Sequence, residues 1–192
     1  MKKTATLFIM SLMVGGSLKA NLYQEFEAGL NTWETRHPII KKFREQPLVW
    51  GSSRAVLKEH PNASFAEALK LTIDKSIPHF IKTYDLHSDL VESLDPVYRE
   101  ANMVVHRQKF EKNLDELQAQ YPIIKKFREQ PLVCGSSRTV LKEHPNASFE
   151  ETLGLIIQNS IGYFRKHPIH SDLVKGLNLV HQEVLAKLNA QK

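Results

Sequence analysis

The 192-residue chain carries 26 Lys and Arg against 21 Asp and Glu, a formal net charge of +5, and is 42% hydrophobic and 24% charged. That balance excludes an intrinsically disordered chain, and the single cysteine, Cys134, excludes an intramolecular disulfide.

The first twenty residues read as a secretory leader. Lys2 and Lys3 form a charged start, Ala5 to Val14 an apolar run too short to span a bilayer comfortably, and Leu18-Lys19-Ala20 a cleavage motif. The opening Met-Lys-Lys-Thr-Ala resembles the leaders of bacterial outer-membrane and periplasmic proteins, which implies a secreted or periplasmic mature chain. Removing Lys2, Lys3 and Lys19 takes the cationic side chains from 26 to 23 against 21 acidic ones, so the mature charge is +2. Nucleic-acid binding, which needs a large clustered positive field, loses its compositional support. No later stretch is long and apolar enough to cross a membrane.

Leu22, Phe26, Leu30 and Trp33 recur at helical spacing and predict a helix over 22–35, with Phe110, Leu114 and Leu117 repeating the pattern later. Then comes the stretch that dominates the chain. Residues 38–65 and 122–149 are identical at 26 of 28 positions, differing only at Trp50/Cys134 and Ala55/Thr139. An internal repeat implies one supersecondary unit present twice. Pro38 and Pro122 suit the start of a short helix that Pro47 ends in the first copy. Gly51-Ser52-Ser53 then predicts a hydroxyl N-cap for a helix reaching Glu59 and closed by His60-Pro61.

Ser64-Phe-Ala-Glu67 and Ser148-Phe-Glu-Glu151 read as capping boxes. They open helices whose apolar faces carry Leu69, Ile73 and Phe80, matched by Leu153, Ile157 and Phe164. Pro78 and Gly162 fall at the same place and predict a kink or break. The copies realign at His87-Ser88-Asp89 and His170-Ser171-Asp172. Asp95-Pro96 predicts the opening of a long helix that runs into the second copy with no flexible linker, and a last helix covers Leu173 to Leu188. The expected fold is all-α: a tandem duplication of a roughly five-helix unit joined by a continuous helix, with residues 1–20 the leader, 21–104 the first repeat and 105–192 the second.

Within the repeats, polar residues persist as faithfully as apolar ones, which packing alone does not require. Lys41, Lys42, Arg44, Arg54 and Lys58, with Lys125, Lys126, Arg128, Arg138 and Lys142, outline a duplicated basic surface. Ser52, Ser53, Ser136 and Ser137 at an expected helix start would add free N–H groups and hydroxyls for an anion. The partner this predicts is a protein or an anionic ligand such as a phosphorylated lipid headgroup, with a bacterial host-interaction factor or a toxin-immunity protein as settings. The chain is read as non-enzymatic, without metal or cofactor. His167 and His170 lack a zinc motif, and Cys134 reads as a half-buried filler at the place of Trp50. The alternative is a small serine hydrolase using His87, Ser88 and Asp89, although adjacent residues rarely adopt triad geometry. Asn62-Ala-Ser64 and Asn146-Ala-Ser148 match a glycosylation sequon but read as loop and cap.

Overall fold

The computed structural model describes residues 21–83, 88–167 and 170–190; the expected leader and His87 lie outside them. Among the described residues every regular element is helical, so the chain is all-α. Helix α1 covers 21–34. It is followed by α2 (Ile39–Arg44), α3 (Pro47–Glu59), α4 (Phe65–Thr83) and α5 (Ser88–Gln120), then α6 (Ile123–Arg128), α7 (Pro131–Glu143), α8 (Phe149–Phe164) and α9 (Ser171–Ala190). Two compact units divide within α5, between Asn102 and Met103.

In the first unit, α1 turns Phe26, Leu30 and Trp33 inward, and α4 supplies Leu69, Ile73 and Phe80. The Phe65 ring lies 5.5 Å from that of Phe26 and 5.7 Å from that of Trp33. It sits so close to α1 that a Cβ on Gly29 would stand 2.1 Å from it, a spacing only glycine satisfies. Helix α2 has six residues, too few to be stable alone. Complete burial of Ile40 and Phe43 contributes roughly 1.5–3 kcal/mol each and fastens it.

The second unit is built around its own apolar cluster, in which Leu153, Ile156 and Ile157 of α8 meet Leu177 and Val180 of α9 and Ile124 and Phe127 of α6. Ring pairs recur at aligned positions: Phe43 with Phe80 at 6.3 Å and Phe127 with Phe164 at 6.5 Å, Phe26 with Phe65 and Phe110 with Phe149 at 5.4 Å. Ser148 forms the expected capping box, its Oγ accepting from the Glu151 N–H at 3.1 Å while the Glu151 carboxylate accepts from the Ser148 N–H at 2.8 Å.

Four expectations are corrected. Helix α3 starts at Pro47, not at Ser52, because proline at N1 needs no N–H donor; Gly51, Ser52 and Ser53 are therefore interior to the helix, as are Gly135, Ser136 and Ser137 in α7. Helices α4 and α8 run through Pro78 and Gly162 without a break. Pro78 is exposed, as is Asp74, the residue whose carbonyl it leaves without a helical donor. Helix α5 opens at Ser88, upstream of Asp95-Pro96, and takes Pro96 inside it. Cys134 is exposed, not half-buried.

Candidate anion-binding surface

The expected site residues separate into three groups once the helices are in place. Ser52 and Ser53 are buried, and the Ser53 hydroxyl donates to the Trp50 carbonyl at 3.1 Å. Ser137 donates likewise to the Val133 carbonyl at 2.7 Å. Their neighbouring N–H groups belong to the helical ladder, so the expected helix-start anion site is absent at both serine pairs.

Arg44 and Arg128 form the second group. Arg44 ends α2 and reaches back to α1, pairing with Glu27, with Glu34 at 3.3 Å and with the Asn31 amide oxygen. Arg128 ends α6 and repeats this on α5, pairing with Glu111 at 2.9 Å, with Asp115 and with the Gln118 amide oxygen at 3.2 Å. The partners stand 17, 13 and 10 positions earlier in both cases. The Asp115 hydrogen bond holds the Arg128 pKa above its ordinary value. These guanidiniums fasten the short helices; they do not lie open on a basic face.

The third group comprises Lys41, Lys42, Arg54 and Lys58 with Lys125, Lys126, Arg138 and Lys142. All eight are exposed, and none pairs with a carboxylate among the described residues. In the first unit Arg54 and Lys58 border a small hollow of about 180 Å³ with Leu22, Tyr23 and Leu57. The Arg54 guanidinium stands over the Tyr23 ring, 6.0 Å from its centre. Burial pushes the Tyr23 phenol above its ordinary pKa, with the Arg54 charge pulling the other way.

In the second unit Arg107, Arg138 and Leu141, aligned with Tyr23, Arg54 and Leu57, line a cleft of about 260 Å³ together with Arg128, Glu111, Ser137 and Cys134. Arg107 stands where the first unit has Tyr23. It lies upstream of the near-identical stretch, so the repeat does not mark it. Its only signal there is the Tyr23/Arg107 exchange seen when Phe26 and Leu30 are aligned with Phe110 and Leu114.

Charge follows the same asymmetry. Residues 21–102 carry 10 Lys and Arg against 12 Asp and Glu, and residues 103–192 carry 13 against 9. Counted from residue 21, the first unit is therefore net acidic and the second is net basic.

A roomier hollow, about 520 Å³, lies elsewhere, between the α7–α8 loop, α8 and α9, bordered by Gly154, Gln158, His181 and Leu185. In the first unit the aligned residues are Lys70, Asp74 and Tyr98. There the Lys70 ammonium pairs with Asp74 at 2.9 Å and sits 5.0 Å from the centre of the Tyr98 ring. Exchange of lysine for glycine at position 154 removes the side chain that would cover this place.

His167 and His170 pack at a tilt against aromatic rings, Tyr163 at 4.7 Å and Phe164 at 5.0 Å between ring centres. Among the described residues no three His, Cys, Asp or Glu side chains gather as a metal-ligand set. Comparison with protein-family models, with curated proteins and with solved structures gave no match.

Proposed function

We propose that the mature chain is an exported, non-enzymatic binding protein. It arose by tandem duplication of a roughly five-helix unit, and each copy presents a basic surface to a phosphorylated lipid headgroup. The observation that carries this reading is the sorting of the repeated cations. Arg44 and Arg128 are occupied by internal carboxylates, whereas the other eight stand exposed without an ion-pair partner among the described residues. Unpaired cations clustered on one segment attract anionic surfaces. Two such segments on one chain add avidity where both engage. Export rests on the leader-like Met1–Ala20.

The hydrolase alternative has less support. The second copy of its motif has the His170 ring packed at a tilt against Phe164, and Ser171 opens α9 beside Asp172. In the first copy the Ser88 hydroxyl faces its neighbour Asp89 at 3.4 Å, and His87 lies outside the described residues.

The test is co-sedimentation of residues 21–192 with neutral phosphatidylcholine vesicles and with vesicles containing phosphatidylglycerol, across a salt series. Binding is expected only to the anionic vesicles, weakening as salt rises, and lost when Lys41, Lys42, Lys125 and Lys126 are all replaced by Glu. Absence of binding at low salt would reject a lipid partner and direct the search to acidic proteins.

A further inference from the structure

Arg107 and Arg138 share a problem that the rest of the molecule does not solve for them. Both line the cleft between α5 and α7, both are exposed, and neither pairs with a carboxylate among the described residues. The one carboxylate lining the cleft, Glu111, is already bound to Arg128, which takes Asp115 as well. Three arginines therefore line the cleft, of which one is neutralised internally and two are not. Like charges lining one cleft of about 260 Å³ repel one another, and an external anion relieves that repulsion.

The chemistry of the walls specifies the anion. A guanidinium offers five N–H donors, accepts nothing and does not lose its proton. The Ser137 hydroxyl gives its hydrogen to the Val133 carbonyl, which leaves the donors in the cleft almost entirely cationic. Two uncompensated positive charges match a phosphate monoester, which carries a charge of about −1.5 to −2 and three acceptor oxygens. A phosphodiester or carboxylate brings one charge and fewer acceptors. The volume is below the roughly 300–1,000 Å³ typical of pockets for drug-sized ligands, so a headgroup fits better than a large ligand.

The first unit keeps an exposed Arg54, the Arg44–Glu27 pair and the inward-bonded Ser53 hydroxyl, but differs where Arg107 stands. Tyr23 replaces Arg107 and provides a ring for Arg54, the hollow of about 180 Å³ beside them does not include Arg44, which with Trp50 lines another, and the unit's overall balance is acidic. We propose that the α5–α7 cleft of the second unit is a binding site for a phosphate monoester, held between Arg107 and Arg138, and that the first unit has no equivalent. This deepens the anionic-ligand reading and rests on it.

Cys134 supplies the readout, since it is the only cysteine, is exposed and lines this cleft. Its alkylation by iodoacetamide, an uncharged reagent, is followed in residues 21–192 at constant ionic strength. Chloride is exchanged for inorganic phosphate, glycerol 1-phosphate or dimethyl phosphate. Inorganic phosphate and glycerol 1-phosphate are expected to slow alkylation, and dimethyl phosphate and chloride are not. Arg107→Tyr, which copies the first unit, and Arg138→Gln are each expected to abolish protection at an unchanged melting temperature, as both side chains are exposed. Equal rates in phosphate and chloride, or protection surviving in Arg107→Tyr, would overturn the proposal. Repeating the assay with vesicles of phosphatidic acid separates a membrane-borne monoester from a soluble one. Vesicles of phosphatidylglycerol, a diester, test the broader reading independently: binding to them without phosphate protection at Cys134 would sink this site and leave the basic surface standing.

Discussion

Arg44 and Arg128 recur unchanged because each holds a six-residue helix onto the long helix before it. A residue kept for that reason looks, in sequence, no different from one kept for a ligand. His106, one residue before Arg107, shows the reverse case, where aligned positions differ in chemistry: the first unit has Leu22 there. The His106 Nε2 is buried without a hydrogen-bond partner among the described residues. Desolvation pushes its pKa below the ordinary 6.5, and the Lys109 charge adds to the effect. The unfolded chain thus takes up this proton at a higher pH than the folded chain. The stability held in the neutral imidazole is complete above the unfolded value and is lost as pH falls through 6.5 toward the lower folded pKa. The melting temperature of the wild-type chain is expected to drop more steeply between about pH 7.5 and pH 5 than that of His106→Leu. Parallel acid profiles for the two proteins would show that His106 is not a source of that loss.

At the level of the element, the α2–α3 and α6–α7 pairs show what the sequence disclosed and what it hid. Apolar spacing located α1, α4, α8 and α9 because their buried residues recur every three or four positions, as Leu173, Leu177, Val180 and Val184 do. Pro47 was legible as a helix stop, and it is one, since α2 ends at Arg44. Its second role, as the first residue of α3, was obscured by the Gly-Ser-Ser that follows, which carries the chemistry of a cap but sits inside a helix that Pro47 opens and that buries Val49, Val56 and Leu57. In the cleft Arg128, Ser137 and Arg138 were legible as repeated residues, whereas Arg107 was not, because it lies upstream of the near-identical stretch and lines the same cleft only after folding. The revised helix boundary has a measurable consequence. A Cβ on Gly51 or Gly135 would touch nothing within 4 Å, and glycine inside a helix costs about 1 kcal/mol relative to alanine. Gly51→Ala and Gly135→Ala are therefore each expected to stabilise the fold by roughly 0.5–1 kcal/mol in urea denaturation. A loss of stability in either would return these glycines to a turn or helix start.

Across the whole molecule, near-identity of the repeats does not imply equal work. Each repeated stretch brings the same five cations and two carboxylates, yet residues 21–102 total 10 against 12 and residues 103–192 total 13 against 9. Long-range attraction to an anionic surface depends on the summed field, so identical lysines contribute less from an acidic background than from a basic one. Reversing Lys125 and Lys126 to Glu leaves the second unit with 11 cations against 11 carboxylates, erasing its net charge. Reversing Lys41 and Lys42 changes a unit that is already net negative. The Lys125/Lys126 pair is accordingly expected to cost more vesicle affinity, and to flatten the dependence on salt more, than the Lys41/Lys42 pair. Two surfaces of equal strength would give matching losses, since avidity from a linked pair falls by the same factor whichever site is removed. Matching losses would therefore place recognition in the repeated stretches alone, whereas an excess at Lys125/Lys126 would locate the stronger contact in the unit that also carries Arg107.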